Sequence, residues 1–470
     1  MHLKVFSTDL IGKHLWRQSQ TQINIQNFYR HDFNILNPRA NVTNWGETTI
    51  HRFEFPLMQW CIAGVHKVFG ESITITRICL FLLGILTVYG FFFLGNVLFK
   101  DSVVAWLLAW AFNFSPLFYY YTMNPIPDNL ALCGSVWGIG WLFRYKQSEN
   151  LLHAVYSAVF LMVAVLCKLP FILFYATVGA YLISRVVMVG LRNSRKYLLA
   201  GLVFVFFLTP AVAWYIWVIP SWGDHGLLKG VFGNQITWAK AFLILEYHII
   251  EILPNRLLGI ASLLLFIAGI FYAIKKKAYQ KSNFWLLACS GLAALSYFGF
   301  ELNMIEGIHD YYMMPFLLPV FVLVGYGIKN LWYAGGIIKT FSIVVLLLMP
   351  AQAYLYVGNS WSIERSACNH DLILYRDALR AAVPANEICI MLNDNSLHIF
   401  PYAVDKRGPV FLDDSLRPEW LGDLIRREKI QYMYSDSRKT DEDPAFVQYF
   451  DSVLLECGTV RVIKLKTVDQ

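Results

Sequence analysis

Residues 78–99 read ICLFLLGILTVYGFFFLGNVLF, with no charged side chain between Arg77 and Lys100. A bilayer core about 30 Å thick is crossed by about 20 apolar residues in a helix, so this stretch is read as a membrane span. Nine more stretches of the same kind follow, at 103–122, 127–144, 152–168, 170–188, 198–219, 257–274, 284–300, 312–328 and 338–357. The fourth and fifth are divided only by Lys168-Leu169-Pro170, read as a tight turn at a membrane surface because Pro breaks the helix and Lys prefers the interface. Composition agrees. Of 470 residues, 57% are hydrophobic and only 15% charged, against about 25% charged in an average soluble chain. A soluble globular protein could not hide that much apolar surface, and a disordered or fibrous chain is excluded by the same figures.

The formal charge of +7 matters less than its placement. Arg144 and Lys146 follow the third span; Arg185, Arg192, Arg195 and Lys196 lie between the fifth and sixth. Lys275, Lys276, Lys277 and Lys281 lie between the seventh and eighth, and Lys329 and Lys339 flank the loop between the ninth and tenth. Counted alternately, all four groups fall on one side, which the positive-inside rule makes cytoplasmic. No basic face of a soluble domain is visible, so nucleic acid is not an expected partner. The eight Cys are scattered and form no CxxC, which leaves zinc ribbons and thioredoxin-type chemistry without support.

The expected architecture is a membrane all-α multi-span bundle of about 10–11 transmembrane helices over 78–357. An extracytoplasmic first loop with interfacial helices (1–77) precedes it. A small extracytoplasmic α/β domain (358–470) follows, in which Asp371–Ala382 and Pro418–Lys429 read as helices. Glu387–Leu392 and Ile430–Tyr434 read as strands, and Val453–Glu456 with Val460–Lys466 as a closing hairpin. Segment 1–77 is polar and needs something to carry it across; the expectation is a first span missing upstream, or a misplaced start.

The candidate chemistry falls in the outer loops. In 14–60 the helix-like stretch with Trp16, Arg17, Ile23, Ile25, Phe28 and Tyr29 reads equally as an interfacial anchor or a substrate lid. Glu54, between Phe53 and Phe55, is either a surface carboxylate paired with Arg52 or a functional group, since a carboxylate at a membrane boundary is costly unless paired, metal-bound or catalytic. Asp128, after Pro125-Ile126-Pro127, suits a helix first turn and is equally available for catalysis. Lys168 either anchors the interface or holds a lipid phosphate as a point charge. A last cluster holds Glu301, Glu306, His309, Asp310, Tyr311 and Tyr312. With Glu54 on the same side, His309 makes a shared divalent metal (Zn, Mn or Mg) possible, because imidazole and carboxylate are ordinary ligands.

Taken in order, Trp16-Arg17-Gln18, Phe53-Glu54-Phe55-Pro56, Pro127-Asp128, Lys168-Leu169-Pro170 and His309-Asp310-Tyr311-Tyr312-x-x-Pro315 resemble the GT-C glycosyltransferases of the glycosyltransferase family 39 type, the protein mannosyltransferases and aminoarabinose transferases, over about 10–330. The resemblance implies an integral-membrane enzyme of the bacterial plasma membrane with its site on the extracytoplasmic side. It implies a sugar passing, with inversion, from a polyprenyl-phosphate donor to a glycan, lipid or protein acceptor. It makes Glu54 and Asp128 the catalytic carboxylates and Lys168 and Tyr312 the donor-phosphate ligands, with Glu54 and His309 as metal ligands; Arg17, in a window that departs from the family, is a further expected donor-phosphate ligand. Two positions depart from the family pattern. Phe55 stands where a Lys is usual. The window Trp16-Arg17-Gln18-Ser19 has no acid where the family's first loop opens with Asp-Glu. The base is then Glu54 or Asp128, or Asp9 or Asp32 folds in, or the activity is altered. The alternatives are a lipid-linked sugar flippase or transporter, or an inactive scaffold of a glycan-assembly complex.

Overall fold

The computed structural model describes residues 2–43, 49–222, 236–305, 309–413 and 415–466. The chain divides into two compact units. The first comprises 1–6, 53–58 and 76–358; the second comprises 7–52, 59–75 and 359–470.

The first unit is helical, and each of the ten expected spans is a helix or helix pair. Among the described residues, six helices are long and apolar enough to cross a membrane: Ile73–Phe99, Leu169–Val189, Arg195–Trp222, Ser282–Phe300, Asp310–Tyr333 and Gly336–Val357. Trp238–Leu257 and Ile260–Lys275, bent by 111°, make a seventh if taken as one span. Asp128–Ser148 and Leu151–Cys167 fill the expected third and fourth places. The chain is an integral membrane protein.

The second expected span is two helices, Ser102–Asn113 and Pro116–Tyr121. Ser115 accepts from the Phe118 amide and Pro116 takes the first helical position, so a new helix begins where hydropathy alone runs on. At the expected turn, Leu151–Cys167 ends, Lys168 is extended (φ −159°), and a 3₁₀ turn, Leu169–Phe174, opens the next span.

Small residues let these helices touch. A Cβ on Gly269 would lie 1.9 Å from the Leu323 carbonyl oxygen, and one on Gly327 would lie 1.9 Å from that of Leu265. The two helices therefore meet backbone to backbone, as apolar helices do where lipid removes the hydrophobic drive to associate.

The second unit holds a five-stranded sheet. Its strands are β1 (Cys389–Leu392), β2 (Val410–Phe411), β3 (Tyr432–Ser435), β4 (Phe450–Cys457) and β5 (Val460–Leu465), in the order β2-β1-β3-β5-β4. β1 pairs in parallel with β2 and β3, while β5 is antiparallel to β3 and β4. The mixed α/β character and the closing hairpin agree with the sequence. The expected helix Asp371–Ala382 breaks at Tyr375 into Asp371–Leu374 and Arg376–Ala381. The helix Ile399–Val404 and strand β2 were not foreseen. One face of the sheet buries Met391, Phe400, Tyr434 and Val462, and the other Ile390, Leu421, Leu424 and Met433.

The first-loop helix Leu15–Arg30 belongs to this unit, and Leu15 and Ile23 pack with Leu10, Ile399 and Tyr402. It also buries Arg17, Gln18, Thr21, Gln22 and Asn27. It is a structural helix with polar residues on its buried side.

Candidate active site

In the first unit, Glu54 is fixed from both sides. The Phe53 carbonyl accepts from Trp214 Nε1 at 3.0 Å, and the Phe55 amide donates to the Leu166 carbonyl at 3.0 Å. Phe55 also stands edge-on to Trp214, with centroids 4.9 Å apart. Between these anchors, the Glu54 carboxylate meets Lys168, whose Nζ donates to Oε1 at 2.6 Å. Both side chains are largely buried, at 8% and 14% exposure. The expected alternative partner, Arg52, is used elsewhere. It belongs to the second unit, where it donates to the Leu36 carbonyl and to Asn37 Oδ1.

Lys168 lies beside the rings of Tyr312 (5.6 Å) and Tyr311 (6.0 Å), within the range of ammonium–quadrupole attraction. His309 packs on the same two rings, 5.3 and 5.6 Å away by centroid. Their backbone is held by Asp310, which accepts from the Tyr121 hydroxyl at 2.5 Å and from Arg256 at 3.0 Å.

Asp128, buried in the first turn of Asp128–Ser148, ends a loop tied down by Arg77. That guanidinium, fully buried, donates to the Met123 carbonyl at 2.6 Å and to Asn124 Oδ1 at 3.1 Å. The Asn129 side chain closes the loop by donating to the carbonyls of Tyr121 (2.9 Å) and Asn124 (3.0 Å). Two phenols lie in the electrostatic field of Asp128. Tyr215 lies in the field of both Glu54 and Asp128, and Tyr297 in that of Tyr312, Glu301 and Asp128.

Glu301 completes the group. It follows the span Ser282–Phe300 and is 4% exposed, and its Oε2 has no hydrogen-bond partner among the described residues. Burial raises its carboxyl to about 7, although the Lys168 charge works the other way. The sequence placed Glu301 in the last cluster without a role; the only signal was an acid immediately after an apolar span. Glu306, from the same cluster, lies outside the described residues.

Glu54, Lys168, Tyr312 and His309 thus form a set of direct contacts within the first unit, and Asp128 and Glu301 act on its members electrostatically. Arg17 belongs to the second unit, where it is buried and donates to Gln20 Oε1. Asp9 and Asp32 also belong to that unit. Burial would raise the Asp9 carboxyl, but Arg376, the Tyr402 hydroxyl, the Leu10 amide and Arg380 together hold it below the usual range. Asp32 pairs with Arg39 at 3.2 Å.

Among the described residues no three His, Cys, Asp or Glu side chains are grouped to hold an ion, and the Glu54 carboxylate is engaged by an ammonium.

Beside Lys168 the surface turns apolar. A cavity of about 420 Å³ is lined by Val165, Leu169, Ile172, Ala211 and Tyr215. A second, of about 540 Å³ and lined by Val178, Leu182, Leu202 and Val205, lies between the same pair of helices, Leu169–Val189 and Arg195–Trp222.

Comparison with known proteins bears out the resemblance. Residues 54–214 match the family model described as dolichyl-phosphate-mannose-protein mannosyltransferase. The fold is that of the GT-C glycosyltransferases. It matches ArnT from Cupriavidus metallidurans in the apo state at 13% identity, covering 98% of this chain and 96% of that one, with a TM-score of 0.66. The same protein bound to undecaprenyl phosphate matches at 14% identity, with the same coverage and a TM-score of 0.62. The oligosaccharyltransferase of Archaeoglobus fulgidus in complex with Zn and sulfate matches at 13% identity over 94% of this chain and 68% of that one, with a TM-score of 0.57. No curated protein sequence matches the chain.

Proposed function

We propose that the chain is an integral-membrane glycosyltransferase that moves a sugar from a polyprenyl-phosphate donor to a glycan, lipid or protein acceptor at the extracytoplasmic face, with inversion. The observation that carries this reading is the buried Lys168, paired with Glu54 and flanked by two tyrosine faces, in a turn whose next residue, Leu169, lines an apolar cavity. An ammonium one residue away from an apolar cavity suits a ligand that is a phosphate at one end and a hydrocarbon along the rest. The neighbouring ArnT structure that holds undecaprenyl phosphate supports the same donor class.

Each residue then has a task. Lys168 binds the donor phosphate and stabilises the charge that grows on it as the anomeric carbon–oxygen bond breaks. Glu54 holds the ammonium in place before the donor arrives. Tyr312 walls the phosphate site, and the polyprenyl chain lies in the groove between Leu169–Val189 and Arg195–Trp222. Asp128 accepts hydroxyls of the sugar, whose ring gains oxocarbenium character in the transition state. Inversion follows when the acceptor attacks from the face opposite the phosphate. The extracytoplasmic placement rests on the positive-inside pattern, which puts Glu54, Asp128, Lys168 and His309 on the side away from the basic loops. A bacterial plasma membrane is the setting proposed.

A divalent ion at Glu54 and His309 would compete with Lys168 for the same carboxylate. Turnover before and after chelation, and on adding back Zn²⁺, Mn²⁺ or Mg²⁺, reads that competition directly.

The absence of an acid in 16–19 favours the reading as an inactive scaffold, and turnover separates the two. Purified protein incubated with polyprenyl-phosphate sugars is expected to release free lipid phosphate, with the release lost in Glu54→Gln and Asp128→Asn. No release from any donor contradicts the enzyme; unchanged release in both variants contradicts the site.

A further inference from the structure

Inverting transfer to a hydroxyl or amine needs a group that takes the acceptor's proton. Most of the candidate acids are occupied. Asp9 and Asp32 are held by arginines in the second unit. Glu54 faces an ammonium at 2.6 Å, which stabilises its ionised form and weakens it as a base. Asp128 is buried in a helix first turn.

Glu301 is the remaining acid. It is buried at the end of a span, with an oxygen that has no hydrogen-bond partner among the described residues. The groups that bear on it are Lys168, from the turn after Leu151–Cys167, and Tyr297, one helical turn back, whose carbonyl accepts from the Glu301 amide at 2.9 Å. Through Tyr297 it shares surroundings with Asp128 and Tyr312, and through Lys168 with Glu54.

Resting on the glycosyl-transfer reading, we propose that Glu301 is the general base of the reaction. As the acceptor oxygen or nitrogen forms its bond to the anomeric carbon, its O–H or N–H bond breaks and the proton passes to the Glu301 carboxylate. The bond from that carbon to the phosphate oxygen breaks with its electron pair, and polyprenyl phosphate leaves against Lys168. Burial, opposed by Lys168, puts the Glu301 carboxyl at about 7, close to where a base at neutral pH works best.

The test is the pH profile of kcat for lipid-phosphate release, at saturating donor and acceptor, in the wild type, Glu301→Gln and Glu301→Asp. The wild type is expected to show a rate that rises with a midpoint near pH 7. Glu301→Gln should lose roughly 10²–10³-fold in kcat, lose the rising limb, and keep its KM for the donor. Glu301→Asp should restore part of the rate together with a limb. Glu301→Gln within threefold of wild type, with the limb intact, overturns the proposal. If Glu301→Gln does not fold, Glu301→Asp decides: an unchanged rate and midpoint overturns it, and a slowed rate with a displaced midpoint supports it. A wild type that releases no lipid phosphate from any donor overturns the glycosyl-transfer reading and this inference with it.

Discussion

Lys168 and Glu54 are 114 residues apart in the chain and 2.6 Å apart in the fold. The pair joins the segment before Leu57–Phe69 to the turn after Leu151–Cys167, and it is mostly shielded from water. Removing one member of a buried pair strands the other charge and costs about 3–5 kcal/mol, whereas replacing both by neutral groups of similar size is often nearly neutral. Lys168→Ala is therefore expected to lower the thermal midpoint in detergent markedly. Glu54→Gln combined with Lys168→Met should recover most of it, while lipid-phosphate release stays absent in both. Recovery of turnover in the double variant would show that the pair serves stability alone.

Arg77 is a charge buried within a span, and its hydrogen bonds to Met123 and Asn124 explain its presence there. Arg77→Met leaves those two acceptors without their charged donor, at a cost of roughly 2–3 kcal/mol. Because the loop it holds ends in Asp128, kcat should fall while KM for the donor changes little. A rise in KM with kcat unchanged would place Arg77 in donor binding instead.

Glu301 also predicts a dependence of stability on pH. Its folded carboxyl, at about 7, lies above the ordinary value of 4.5, so the folded chain binds the proton more tightly than the unfolded one. Stability is expected to fall as pH rises from about 4.5 to 7 and then level off, with an upper limit of roughly 3 kcal/mol. Glu301→Gln should remove this slope and be more stable than wild type at pH 8. Parallel curves for the two proteins would show that the carboxyl titrates normally.

The Gly269–Gly327 contact gives a packing prediction. Gly269→Leu would drive its side chain into the Leu323 carbonyl, an overpacking expected to cost about 1–3 kcal/mol. Thermal unfolding in detergent checks it; a conservative surface change such as Lys275→Arg serves as the control.

Hydropathy made the helices of the first unit legible, because apolar length is a local property. It missed the break at Ser115-Pro116, although the capping serine and the proline were both in view. The tail's strands were legible from their β-branched and aromatic runs, but β2, only two residues long, carries too little pattern to read. The pairings among the candidate residues were not legible. Arg52 was the near candidate for Glu54, yet the fold supplies Lys168 from a distant turn. The unusual state of Glu301 depends on burial by neighbouring helices, and no sequence spacing encodes that. The polar helix Leu15–Arg30 was open to two readings, and neither anticipated its packing on Ile399 and Tyr402.

The claim on which the rest depends is that Lys168 receives the donor phosphate. Titration of the purified protein with undecaprenyl phosphate, followed by ³¹P NMR, tests it most directly. The account predicts a saturable shift of the phosphate resonance with the wild type and its loss in Lys168→Met, assayed beside a folded Asp128→Asn control that retains the shift. An undiminished shift in folded Lys168→Met would contradict it.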